Sequence, residues 1–354
     1  MNKLQQLMGS RELSSAINSP LGGLPNGFPV GFMTRTRKIR GAAASWKQYP
    51  NTRVAATVGT YGGPSQHVDN AGFSTRSAVA LHSFEDQIFG QDVFNTLDSV
   101  GGGADEMGIA ELQRQTADFK RRFMNLRIHA LQSVLALGAI YKAGKSVLPS
   151  SSGATETIDM AVPANNKGTC NGIIGTKWDQ TTATVLTDID ELQAQQVKNG
   201  NPPLRYAYYG QGVPEALIGN PVIAKLIAGS NTLADGFTNG IPDAMKMKWL
   251  PVGSMFHESA SGTQTDMFSK LCVFTPDPLE GDWYEMLEGS YAVPSSPGMS
   301  ADAASLAANL ETRYGMFSYA EFTKNPVGIQ QFAGDTFLPV LKVPSAIFIA
   351  TVLT

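Results

Sequence analysis

The sequence predicts an α+β fold, and three observations point there. A single helical stripe runs unbroken for about forty residues. The rest of the chain is short β-capable runs separated by turn residues. Thirty-six glycines and 20 prolines leave little room for other long elements. With 354 residues and 37.8 kDa, the chain exceeds the usual single-domain size, so one elaborated domain or two to three subdomains are expected.

In chain order, residues 1–18 predict a short helix that Ser19-Pro20 stops. Gly22, Gly23, Pro25, Gly27 and Pro29 follow, and such a stretch builds no core of its own. It reads as an extended arm over residues 1–34. Charged and polar residues dominate from Arg35 to Arg40. The runs Ala42–Trp46, Val54–Val58 and Ser77–Phe84 flank a turn-rich tip, Gly59–Pro64, and together predict a long hairpin over 35–90.

The strongest signal lies between Ala104 and Ala143, opened by Gly101-Gly102-Gly103, closed by Gly144, and free of proline. Leu112, Phe119, Phe123, Leu126, Ala130, Val134, Leu137 and Tyr141 recur at spacings of 7, 4, 3, 4, 4, 3 and 4, one face of a helix. Asp118 and Arg122, four apart, are expected to pair on the opposite face. Forty helical residues span about 60 Å, so this element is a structural spine whose stripe should be buried against a sheet of the same chain.

Thr157–Pro163 then predicts a strand. Thr184–Leu192 leads into a second helix with Thr187 or Asp188 as its N-cap, ending near Lys198-Asn199-Gly200 before Asn201-Pro202-Pro203. Arg205–Tyr209 is a short aromatic strand, and Val213–Leu226 is a helical pattern broken at Pro221. Phe337–Leu341 and Ala346–Val352 are terminal β runs. A final strand this apolar is expected to return to an earlier sheet.

Charge is sparse and unevenly placed. Only 16% of residues are charged, against roughly 25% in a typical globular protein, so much of the surface is expected to face other subunits. Residues 1–54 hold eight basic groups (Lys3, Arg11, Arg35, Arg37, Lys38, Arg40, Lys47 and Arg53) and one acid, Glu12, giving +7. The whole chain carries -3, leaving -10 for residues 55–354. A basic arm docking on the acidic remainder of a neighbouring copy accounts for this split. No RNP motif, zinc-finger spacing or interleaved aromatic set favours sequence-specific nucleic-acid recognition. Arg35, Arg37, Lys38, Arg40, Trp46 and Lys47 are therefore the candidate intersubunit contacts, and Leu112, Phe119, Phe123, Leu126 and Val134 the structural spine.

No catalytic pattern emerges. The chain lacks GxxxxGK[ST] and GxSxG, and Gly101–Gly103 has no following phosphate-binding Lys. His257-Glu258 lacks the second His of a zincin, since position 261 is Ser. His129 lies in the spine and reads as a packing or interface residue. Asp188, Asp190 and Glu191 lack EF-hand spacing and read as acids at a helix N-terminus. Cys170 and Cys272 are expected to be buried, unpaired thiols. No apolar run approaches the ~18 residues of a membrane helix, and residues 1–6 carry no signal-peptide apolar region. A structural protein without cofactor, metal or membrane is the expectation.

The order of segments resembles the Hong Kong 97 fold of tailed-phage major capsid proteins, in its lambda-like branch, the major capsid protein E family. The residues that carry this are Ile158–Pro163 after the spine, Lys177-Trp178-Asp179, Thr187-Asp188-Ile189, and Tyr208-Tyr209-Gly210 with Ala216–Val222 and its Asn-Pro. Leu250–Gly253, Val273–Pro278 and Phe337–Ser345 are similar to the family's late strands and closing segment. The resemblance covers residues 100–354 by motif and 1–99 by order and composition; residues 295–319 match no part of it.

The resemblance implies an N-terminal arm (1–34), an extended hairpin loop reaching over a neighbour (35–90), a peripheral domain (91–185 and 325–354, spine about 104–143) and an axial domain (186–324). It implies a homo-oligomer of pentamers and hexamers forming an icosahedral head shell around double-stranded DNA bound without sequence recognition. A separate scaffold protein, a portal and a decoration protein are the implied partners, and assembly is expected in the host cytoplasm. An encapsulin-like compartment shell is the alternative. Lys47 falls where some relatives carry a cross-linking lysine, but no matching acid-plus-Asn pattern accompanies it, and that chemistry is not carried over.

Overall fold

The computed structural model describes residues 28–29, 31–51, 72–89, 106–229, 241, 247–252, 256–258, 264–294, 310–324 and 327–354. The arm up to residue 27, the Val54–Val58 run, the glycine-rich tip and Gly101–Gly103 lie outside the described residues. The chain exposes 18265 Å², well above the roughly 14,000 Å² that mass scaling gives a compact monomer of this size.

Two sheets and the spine between them organise the molecule. The six-stranded sheet centres on β17 (Val327–Leu341), a 15-residue strand long enough to serve several partners. Along one part it pairs antiparallel with β16 (Phe317–Lys324) and β4 (Leu81–Phe89), one on each edge. Its last residues pair with β14 (Tyr284–Pro294), which holds β1 (Thr36–Ile39) in parallel and β15 (Leu310–Tyr314) antiparallel. Strand pairing therefore crosses the expected 324/325 division, because β14 and β16 bond to β17 and not to the strands of 186–275. The unmatched 295–319 segment supplies β15 and the start of β16.

The five-stranded sheet runs β10 (Lys248–Pro251), β9 (Tyr206–Tyr209), β13 (Leu271–Thr275), β18 (Phe348–Thr351) and β8 (Lys167–Gly168). The apolar C-terminal run does return to an earlier sheet, as β18 between β13 and β8. Alternate residues face opposite sides of a strand. Ala207, Tyr209, Cys272, Phe274, Phe348 and Ala350 share one core with α3 (Val185–Lys198), α4 (Val213–Gly219) and α5 (Pro221–Ala228). Tyr208, Val273 and Ile349 face the other way, into the main core with the spine. Smaller units complete the fold: a three-stranded sheet of β5 (Ala139–Ala143), β6 (Ser146–Leu148) and β7 (Glu156–Asp159), and the β11 (Phe256–Glu258) and β12 (Gln264–Asp266) hairpin.

The spine is α2, Glu106–Leu137. It ends six residues earlier than expected, so Tyr141 belongs to strand β5. The stop is Gly138, at φ +69, whose N–H donates to the Val134 carbonyl at 3.0 Å. Phe119, Phe123 and Val134 are buried and Leu126 partly so; Leu112 lies in the helix among residues whose side chains are outside the description. Phe119 and Phe123 stack at 6.2 Å and pack on Met316, in the turn before β16, and on Ala333 of β17. Beyond Leu126, burial ceases to be one-sided: Arg127, Ile128 and the run from Ala130 to Ala136 are all buried, because this half lies between the two sheets. Asp118 bonds Arg121 instead of Arg122, and Arg122 reaches across to Glu85 of β4 at 2.9 Å.

Two further expectations change. The end of the arm is not outside the core: Phe28 and Phe32 are buried, with Phe32 on the single turn α1 (Gly31–Thr34) set edge-on to Tyr284 at 4.8 Å. The N-cap of α3 is Thr184, and Asp188 sits inside the first turn.

Candidate functional site

Arg35 to Lys47 form the strongest local concentration of positive charge among the described residues, and the structure shows how they are seated. β1 pairs with β14 residue for residue from Thr36 opposite Met286 to Ile39 opposite Gly289. Gly289 is required there: a Cβ would lie 2.6 Å from the Gly41 carbonyl and 2.3 Å from Thr336 Cγ2. Arg35 Nη2 meets Asp282 Oδ1 at 2.7 Å, and Lys342 bonds the same carboxylate. Arg37 Nε donates to Glu285 Oε2 at 2.8 Å and its Nη2 to the Ser45 carbonyl at 3.2 Å. Lys38 Nζ lies 5.2 Å from the Tyr314 ring centre. Arg40 is exposed. Two of the candidate contact residues thus already have acidic partners in their own chain, which aligns β1 on the sheet.

The hairpin root follows directly. β2 (Ala43–Gln48) pairs with β3 (Ser74–Val79), and alternate residues of β2 are buried. Trp46 is on the inward side, in the chain's own core, not on a surface as expected. Lys47 points out, 4.2 Å over the Phe73 ring. Gln48, buried, donates to the carbonyls of Met160 at 2.9 Å and Leu341 at 3.1 Å, while Arg76 donates to its Oε1 at 3.1 Å. Tyr49 N–H to Lys342 O at 2.8 Å and Asn51 Nδ2 to Asn201 Oδ1 at 2.9 Å complete the anchor. The root of the hairpin is therefore hydrogen-bonded to the body through three residues, Gln48, Tyr49 and Asn51.

Beneath β1 lies a buried ion cluster that sequence reasoning missed. Arg127 of the spine forms a fork on Asp335 of β17, with Nε to Oδ2 and Nη2 to Oδ1 both at 2.7 Å. Its Nη1 meets Glu288 of β14 at 3.1 Å, and its guanidinium lies 5.2 Å from the Phe337 ring centre. Burial alone pulls the Arg127 guanidinium down, but Asp335 and then Glu288 hold it above its ordinary value. One side chain thus ties the spine to two strands of the sheet that carries β1. A lone Arg entering the apolar half of a helix, and a lone Asp within the Phe332–Val340 run, were the available signals.

The residues weighed for chemistry have structural surroundings. Asp188 accepts from Trp178 Nε1 and Thr184 Oγ1, both at 2.9 Å, and burial raises its carboxyl despite those bonds. Cys170 and Cys272 are buried free thiols; burial pushes Cys170 up to about 12 and raises Cys272 well above the ordinary thiol value. Among the described residues no group of three or more His, Cys, Asp or Glu is placed to hold a metal ion. No helix among them is long and apolar enough to cross a membrane.

Comparison with known proteins agrees with the assembly reading. The chain matches the family model for phage major capsid protein E over residues 10–278. That match reaches into the segment where the resemblance rested on order and composition, and stops short of the closing motifs. A crystal structure of a phage-related protein from Bordetella bronchiseptica RB50 superposes with a TM-score of 0.56 at 9% identity, covering 97% of each chain. A prophage protein of E. coli CFT073, assigned as a capsid protein, gives 0.54 at 13% identity over 97% of this chain and 99% of that one. At these identities the two matches establish a shared fold. A search of curated protein sequences finds no match. Nothing in these comparisons speaks for an encapsulin-like compartment. With an α+β fold shared with these two proteins and a family match over three quarters of its length, the chain belongs to the phage major capsid protein E family, the structural proteins of the phage head shell.

Proposed function

We propose that this chain assembles as pentamers and hexamers into an icosahedral shell that encloses double-stranded DNA. The observation that carries the reading is the family match over residues 10–278. The sparse charge supports it, because a subunit surrounded by copies of itself needs less solvated surface. Family membership is also what supports a scaffold protein, a portal and a decoration protein as partners, assembly in the host cytoplasm, and a structural role in place of catalysis. The anchored root of β2 and β3 suits this hairpin to reach over a neighbouring subunit, while β1 and β4 on either side of it stay in the six-stranded sheet. Lys38, Arg40 and Lys47 are the basic groups that face outward for such a contact, while Arg35 and Arg37 hold β1 in place.

Electron microscopy of the purified chain, alone and with its scaffold partner, is the test. Closed shells are the expected result. A chain that stays monomeric under both conditions overturns the reading.

A further inference from the structure

We propose that the outer face of α5 is a contact between copies of this chain, and that it receives the outer face of α3 from a second copy. The inference rests on the shell reading above and assigns one of its contacts to named residues.

The observation is a mismatch between composition and burial. α5 reads Pro-Val-Ile-Ala-Lys-Leu-Ile-Ala, with Lys225 as its one charged residue. A helix apolar on every side belongs in an interior. Here Ile223 alone is buried, whereas Val222 is 55% and Leu226 44% exposed. These two are four residues apart and share a face. Ile218, four residues earlier at the end of α4, is 46% exposed. The helix is firmly held: buried Asn220 accepts from the N–H groups of Val222 and Ile223 and donates to the Ala183 carbonyl at 2.9 Å. A fixed element therefore presents an apolar face with a single cation in it.

The complement lies on α3. Glu191, Ala194 and Val197 are exposed and spaced by three, so they share one outward face; Asp190 adds a second acid at its first end and exposed Lys198 lies at its last turn. Among the described residues neither Glu191 nor Lys225 has an ion-pair partner. Within one chain α3 and α5 both turn their inner faces to the same side of the five-stranded sheet. Their outer faces meet only if they come from different copies. Such a head-to-tail contact uses two different surfaces and builds a ring where the rotation between copies closes, as a pentamer or hexamer requires. Lys225 would pair with Glu191, and Val222 and Leu226 would cover Ala194 and Val197.

The test compares variants of the full chain under conditions where the unmodified chain forms particles. Leu226→Lys is expected to lower particle yield at least tenfold while the free subunit melts as before. Lys225→Glu is expected to lower the yield as well, and adding Glu191→Lys to the same chain to restore it. Should Leu226→Lys fold poorly, Leu226→Cys with a polar maleimide gives a second reading, since both native thiols are buried. Labelling should slow at least tenfold on going from free subunit to particle. Wild-type yield from Leu226→Lys, no recovery in the charge swap, or equal labelling in both states overturns the contact and leaves the shell reading standing. Failure of the unmodified chain to form particles overturns that reading and the contact with it.

Discussion

Replacing Arg127 by Ala strands Asp335, which is fully buried, as an unpaired carboxylate beside Glu288. Removing one partner of a buried pair costs about 3–5 kcal/mol, because the remaining charge keeps its desolvation penalty and loses its counter-ion. Urea unfolding of Arg127→Ala should show a loss of that size, and Arg127→Lys a smaller one, since Lys keeps the charge but not the two-bond fork. The surroundings leave no room for rearrangement: at Gly315, φ +66, a Cβ would come within 2.8 Å of Glu288 Oε1 and 3.0 Å of Arg127 Nη2. An Arg127→Ala chain as stable as the parent would show that packing, not the ion cluster, holds the spine to the sheet.

At the scale of elements, α2 and β17 carry the architecture between them. The N-terminal half of α2 lays Phe119 and Phe123 on Ala333 and Met316, with Arg121 exposed on the far side and Arg122 at the flank bonding Glu85 of β4. Phe123→Ala opens a cavity at a fully buried ring and should cost about 3–5 kcal/mol, lowering the thermal midpoint. An unchanged melt would mean that this half of the spine is not core. The C-terminal half has polar positions too, Gln132 and Ser133, yet both are buried between the sheets. The apolar stripe therefore describes only half of the helix that carries it.

At the scale of the whole molecule, the positive charge of residues 35–47 divides into groups satisfied within the chain and groups facing outward. Exposed ion pairs contribute about 0–1 kcal/mol each, but a shell repeats every contact many times, so small terms decide whether it closes. Arg40→Glu with Lys47→Glu should block particle formation in sedimentation while leaving the melt of the free subunit unchanged. High salt should slow assembly of the parent chain, because exposed charges are screened. Normal empty particles from the double variant, defective only in DNA filling, would instead place these groups on the inner surface.

What the sequence determined by itself are the features set by local order. The helical stripe of Phe119 to Val134, the Asn220-Pro221 break between α4 and α5, the unpaired cysteines and the return of the last strand were all legible from spacing, breakers and hydropathy. The tertiary structure decided whatever depends on partners distant in sequence. Arg35 and Arg37 find Asp282 and Glu285 nearly 250 residues away, and Trp46 turns inward because the register of β2 places it on the core side. The end of the spine shows both influences. Gly138 supplies the left-handed turn, but Tyr141 continues the helical spacing and is drawn into β5 by pairing with β6 and β7. Periodicity reports a segment's own preference, and long-range hydrogen bonds and ion pairs override it where they satisfy groups that the local structure would leave buried and unpaired.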